Sequence, residues 1–172
     1  MNTGKLQISR RKTLIGLSGA LLATPALITS ASADHHAGGE YVDKTLTISP
    51  FSLAISEMAE TKASNPLVRQ FAKLEKGEQT AVSHLIESTG AIAPPRPPAL
   101  EDIYKKLEAA SGEDFDRLYI STEIIGHEDL LAVQMPESGK NPINVNVATA
   151  TILVPFIHTH LTMLAEIRKQ IS

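Results

Sequence analysis

The sequence predicts an all-α, antiparallel four-helix bundle with one short extra helix. Three observations carry that expectation. Apolar residues recur at three- and four-residue spacing through four long segments, the signature of amphipathic helices. No segment alternates long enough for a sheet, and Val145-Asn146-Val147 does so only briefly. The connections between segments are short or stiff, which favours antiparallel neighbours. With 42% apolar residues, four Phe, three Tyr and no Trp, the core is expected to be mainly Leu, Ile, Val and Ala.

The first helix is expected from about Thr45 to Lys62, with Phe51, Ala54, Ile55, Met58 and Ala59 on its apolar side. It breaks at Ser64-Asn65-Pro66, where Asn65 suits a cap and Pro66 the first helical position. The second runs from Pro66 to about Ser88, with Leu67, Phe71, Leu74, Val82 and Leu85 on one stripe that Glu78 interrupts. Residues 91–98 contain four prolines around Arg96, a composition that favours an extended, stiff connector. A short helix from Ala99 to Ala110 follows. The third main helix runs from Glu113 to about Gln134, opened by Ser111 and Asp114 as a weak capping box. Its Phe115, Leu118 and Tyr119 form one stripe and Ile120, Ile124 and Leu131 the next. Residues 136–140 read as a loop. Asn141-Pro142 repeats the cap-plus-proline start, and the last helix continues to about Gln170 with Ile157, Leu161, Leu164 and Ile167 inward.

The N-terminus reads as an address. Lys5, Arg10, Arg11 and Lys12 precede a moderately apolar run, and Ala31-Ser32-Ala33 offers small residues for cleavage before Asp34. Paired arginines point to a twin-arginine signal over residues 1–33, and so to export into the periplasm as a folded protein. Residues 34–44 are expected to be a flexible lead and residues 45–172 the bundle. Removing the signal takes away four of the 16 Lys and Arg and none of the 19 Asp and Glu, leaving 12 basic and 19 acidic side chains. That acidic balance argues against nucleic acid and against anionic membrane surfaces as partners. No mature segment is expected to span a membrane. There is no cysteine, hence no disulfide, no thiolate metal site and no lipoprotein anchor.

Three stretches resemble one bacterial family. They are residues 59–79 (AETKASNPLVRQFAKLEKGEQ), 115–131 (FDRLYISTEIIGHEDLL) and 152–167 (ILVPFIHTHLTMLAEI). Lys62-Ala63, Asn65-Pro66, the Phe115-Asp116-Arg117 run with Tyr119, His127, Pro155 and His160-Leu161 are the main marks. Together they resemble the domain of unknown function 4142. The resemblance implies a ferritin-like helical bundle, export, and a place in the cell envelope that extends to the outer membrane. It passes on no settled activity. Where that family usually carries an Asp-His pair on the second helix, this chain has Glu78 and Gln79.

A ferritin-like bundle invites a search for paired Glu-x-x-His motifs, since residues i and i+3 project together into the bundle. No Glu in the chain has His three residues on. A looser transition-metal site is the alternative. Glu123 and His127 share a helix face, and His127 lies on the Ile120–Ile124–Leu131 stripe. His160 sits between Ile157 and Leu164, while His158 faces nearly opposite. His127 and His160, joined by Glu57 or Glu78 from the first two helices, would make a His/carboxylate set for Zn, Cu, Fe or Mn. The other reading makes both histidines hydrogen-bonded core residues that fix helix register. A second metal motif depends on cleavage: a chain starting Asp34-His35-His36 offers an amine, two amides and an imidazole in a plane, suited to Cu(II) or Ni(II). No nucleophile elbow and no phosphate loop is present. The functional expectation is therefore twofold: a non-enzymatic exported protein that binds an envelope partner or its own copies, or a metal-binding protein.

Overall fold

The computed structural model describes residues 39–172, which form helices, the links between them and two residues after the last helix. Helix α1 spans Gly39–Lys62, α2 Pro66–Glu87, α3 Pro98–Ala109, α4 Gly112–Ser138 and α5 Val145–Gln170. The expected all-α bundle with one short extra helix is what forms, and the described residues contain no strand. The expected signal at 1–33 and the Asp34-His35-His36 motif lie outside the described residues.

Short links turn α1 back on α2 and α4 back on α5, and these two hairpins face each other. The α1–α2 turn is set by side chains from two elements. The Asn65 side chain accepts from Leu67 N–H at 2.8 Å and caps α2, with Pro66 behind it. Asp116, buried on α4, accepts from the N–H groups of Ser64 (3.0 Å) and Asn65 (2.8 Å) and from the Ser64 hydroxyl. The second hairpin therefore holds the turn of the first. Arg117, its neighbour, pairs at the surface with Glu113 and Asp114.

The proline connector is stapled to the bundle through Arg96. Its guanidinium lies 4.3 Å from the Tyr104 ring centre and 5.8 Å from that of Phe51, and it pairs with Glu101 at 3.0 Å. The largest apolar cluster gathers Phe51, Ile55, Val68, Phe71, Leu107, Phe115, Tyr119 and Leu164. A second, around Val42, Leu46, Ile86 and Ala150, fills the opposite end.

Several boundaries and faces differ from expectation. Helix α1 starts at Gly39, so residues 39–44 of the expected lead are helical; Tyr41 and Val42 are buried there and anchor the extra turn. Helix α4 runs through Pro136 to Ser138, because a proline removes only one ladder donor and Glu137 beyond it is buried. Helix α5 opens at Val145, where the Asn144 side chain accepts from Val147 N–H at 3.0 Å; Asn141-Pro142 lies in the link before it. Ser111 makes no side-chain cap bond. On α2 the buried face is Val68, Phe71, Ala72, Glu75, Gln79, Val82, Ser83 and Ile86, while Leu67, Leu74 and Leu85 are exposed. Contrary to expectation, α5 is long and apolar enough by length and composition to cross a membrane, a test that a core helix of a bundle also meets.

Candidate metal centre

The core is interrupted by a band of polar side chains that all four long helices supply. Ser52 and Ser56 come from α1, Glu75 and Gln79 from α2, Glu123 and His127 from α4, and His160 from α5. Every one of them is buried. Helix periodicity places them: Phe71, Glu75 and Gln79 stand one above another at four-residue spacing, as do Glu123 and His127. Phe71 roofs the band, its ring centre 5.4 Å from that of His160 and 6.0 Å from that of His127.

Within the band three ligand atoms converge. His127 Nε2 lies 3.1 Å from His160 Nδ1. Glu75 Oε2 lies 3.0 Å from His160 Nδ1 and 3.4 Å from His127 Nε2. That oxygen is fully buried and makes no well-aligned hydrogen bond. Bonds of about 2.1 Å imply ligand–ligand edges of about 3.4 Å in a tetrahedron and about 3.0 Å in an octahedron. The three separations fall in that range, so Glu75, His127 and His160 could hold a metal ion.

The outer contacts fix how the imidazoles are protonated. His127 Nδ1 sits 2.7 Å from the Glu123 backbone carbonyl, which can only accept. Nδ1 must therefore carry the proton, and Nε2 turns a lone pair to the centre when the ring is neutral. His160 Nε2 lies 3.3 Å from the Glu78 carboxylate, which draws the proton to that side and leaves Nδ1 facing inward. Two inward lone pairs at 3.1 Å repel unless a proton or a metal ion sits between them.

The charges follow the same geometry. Burial penalises the Glu75 carboxylate, but the two imidazoles beside it outweigh that and hold it well below the usual carboxylate range. Burial works against protonation of His160, yet Glu75 and Glu78 raise it to about 9. His127 is raised too, since Glu75 and Glu123 overcome its burial. Glu123 is pushed the other way for a carboxyl, up to about 8, first by burial and then by the Glu75 charge. Its oxygens meet the hydroxyls of Ser52 (3.0 and 3.1 Å) and Ser56 (3.3 Å).

The sequence-based set is thus regrouped. His127 and His160 come together. Glu123 lies beside them, its Oε2 3.5 Å from His127 Nδ1, on the side away from the convergent atoms. Glu78 touches only the outer face of His160 and is half-buried. Glu57 is exposed on the outside of α1 and takes no part; with Ser56 buried, its next residue turns outward. His158 is exposed as well. The sequence pattern does not single out Glu75, although it stands one turn beyond the core residue Phe71 and one turn before Gln79. Paired Glu-x-x-His chemistry does not fit this donor set, which offers one converging carboxylate and two imidazoles for a single ion.

No curated protein and no solved structure matches the chain. Residues 23–167 match a family described as a domain of unknown function, DUF4142. The match covers most of the sequence, and the chain belongs to that family.

Proposed function

We propose that this is an exported metal-binding protein that holds one divalent transition-metal ion on Glu75, His127 and His160. The observation that carries the reading is the buried, unpartnered Glu75 Oε2 facing two imidazole nitrogens whose protons are drawn to their far sides. Two neutral imidazoles and a carboxylate suit Fe(II), Zn(II), Mn(II) or Cu(II) rather than Ca(II) or Mg(II). The Glu123 carbonyl and Glu78 carboxylate orient the two rings, as outer partners of metal-bound histidines do. The twin arginines at 10 and 11 fit the same function, because folded export suits a protein loaded with its ion before it crosses the membrane.

The test is metal content. The protein purified from its exporting cell, counted by elemental mass spectrometry, is expected to carry about one transition-metal ion per chain. Glu75→Gln, His127→Ala and His160→Ala each remove it, while Glu57→Ala and His158→Ala leave it in place. The 3.1 Å imidazole contact also supports a metal-free reading, a proton-sharing histidine pair that only locks helix register. Protein that is isolated empty, and takes up none of these ions when they are added, decides for that reading. Sequencing the mature N-terminus tests export: a chain still starting at Met1 in the periplasmic fraction overturns the signal assignment.

A further inference from the structure

Glu75 is held by one oxygen so that the other is free. Oε1 is the nearest acceptor for the single Ser52 hydroxyl proton, at 2.9 Å against 3.0 and 3.1 Å for the Glu123 oxygens, and it also accepts from Gln79 Nε2 at 2.7 Å. A carboxylate oxygen has two lone-pair directions, so two donors saturate it. Turning the Gln79 amide over would set two oxygens against each other at that distance, which fixes the NH₂ toward Glu75. Oε2 keeps both of its lone pairs and lies against His127 and His160.

We infer that Ser52 and Gln79 are positioning residues that keep Glu75 a one-oxygen ligand, so that the metal retains an open position for water, hydroxide or a small inorganic anion. The inference rests on the metal-binding reading above and says what kind of site it is. A carboxylate free to rotate would chelate with both oxygens and take up the vacant position. Three protein ligands plus an exchangeable one is the arrangement of reactive metal sites, whereas structural ions are closed by protein groups. Burial sets the size of the exchangeable ligand. Glu75, His127 and His160 are each at most 4% exposed, and Phe71 covers both imidazoles, so only a ligand of a few atoms fits.

Cobalt(II) and azide make the test, since the visible spectrum of Co(II) reports coordination number directly. Wild-type protein loaded with one Co(II) per chain is expected to show a saturable spectral change on azide titration. The Ser52→Ala, Gln79→Met double variant is expected to take up one Co(II) as well, with a changed starting spectrum and azide binding at least tenfold weaker. Ser52→Thr keeps the hydroxyl and retains the wild-type response. Gln79→Met alone gives an intermediate response, and serves if the double variant does not fold. A wild-type Co(II) spectrum indifferent to azide overturns the open position. Variants that respond as wild type overturn the roles of Ser52 and Gln79. Either result leaves metal binding intact, whereas wild-type protein that takes up no Co(II) overturns the metal reading itself.

Discussion

At the scale of single residues, the buried charges make the metal-free chain sensitive to pH. His160, raised to about 9 by Glu75 and Glu78 against its burial, contributes stability that is fully present below the unfolded histidine value of about 6.5. That contribution is lost as pH rises through about 9. Glu123 acts in the same direction: held neutral up to about 8 by burial and by Glu75, the folded chain keeps a proton that the unfolded chain has already released. Glu75 acts at the acid end. Its folded value is lowered, so its contribution is present above the unfolded carboxylate value and fades as pH falls below it. Chelator-treated protein is therefore expected to be most stable in mildly acidic solution. It should lose on the order of 2 kcal/mol between pH 6 and 9, given about 1.4 kcal/mol per pKa unit and strong coupling among the groups. Urea unfolding at the two pH values measures this; stability that is flat or rising over that interval contradicts the assigned charges. His160→Gln should reduce the difference, and the remainder belongs to Glu123 and His127.

At the scale of elements, helix α2 shows what the sequence revealed and what it hid. The helices themselves were legible, because their apolar spacing, the Asn65-Pro66 start and the proline connector are local signals. The buried face of α2 was not. Leu67, Leu74 and Leu85 drew the eye to a stripe that shares only Phe71 and Val82 with the buried one. A core that contains a polar site inverts the usual pattern there, so Glu75, Gln79 and Ser83 point in and leucines point out. Helix α1 repeats the effect, with Thr45, Ser49, Ser52 and Ser56 buried at four- and three-residue spacing. The histidines were legible because each sits among apolar residues at helical spacing; Glu75 was hidden because the buried face that Phe71 and Ala72 begin continues beyond it through the polar Gln79 and Ser83. Adjacent residues test the register. Ile86 is fully buried and Leu85 is 44% exposed. Ile86→Ala should cost about 2–4 kcal/mol, as a cavity in a packed core does. Leu85→Ser should cost about 1 kcal/mol or less. Equal losses in chemical denaturation would return α2 to the leucine-inward face.

At the scale of the whole molecule, the proposed ion ties the two hairpins together. α1 packs chiefly on α2 and α4 on α5, while the α2–α5 contact is sparse. Glu75 belongs to the first hairpin and His127 and His160 to the second, so a metal bond crosses the seam between them. It also replaces a costly arrangement, in which two buried imidazoles and a carboxylate must share protons, with one that uses each lone pair. An ion that binds only the folded chain adds stability by mass action, about 4 kcal/mol when free metal is 1,000 times its dissociation constant. At roughly 4 °C per kcal/mol for a domain of this size, the thermal midpoint should rise on the order of 15 °C at neutral pH. The gain should shrink in acid, because His127 and His160 must shed protons to bind. Amide exchange adds a spatial readout: protection should increase in α2, α4 and α5, which hold the ligands, and stay unchanged in α3, which holds none. Calorimetry of the wild type with and without Zn(II), repeated on Glu75→Gln, separates this from nonspecific binding. A midpoint shift that survives the substitution places the ion elsewhere, and the absence of any shift in the wild type removes the bridge between the hairpins.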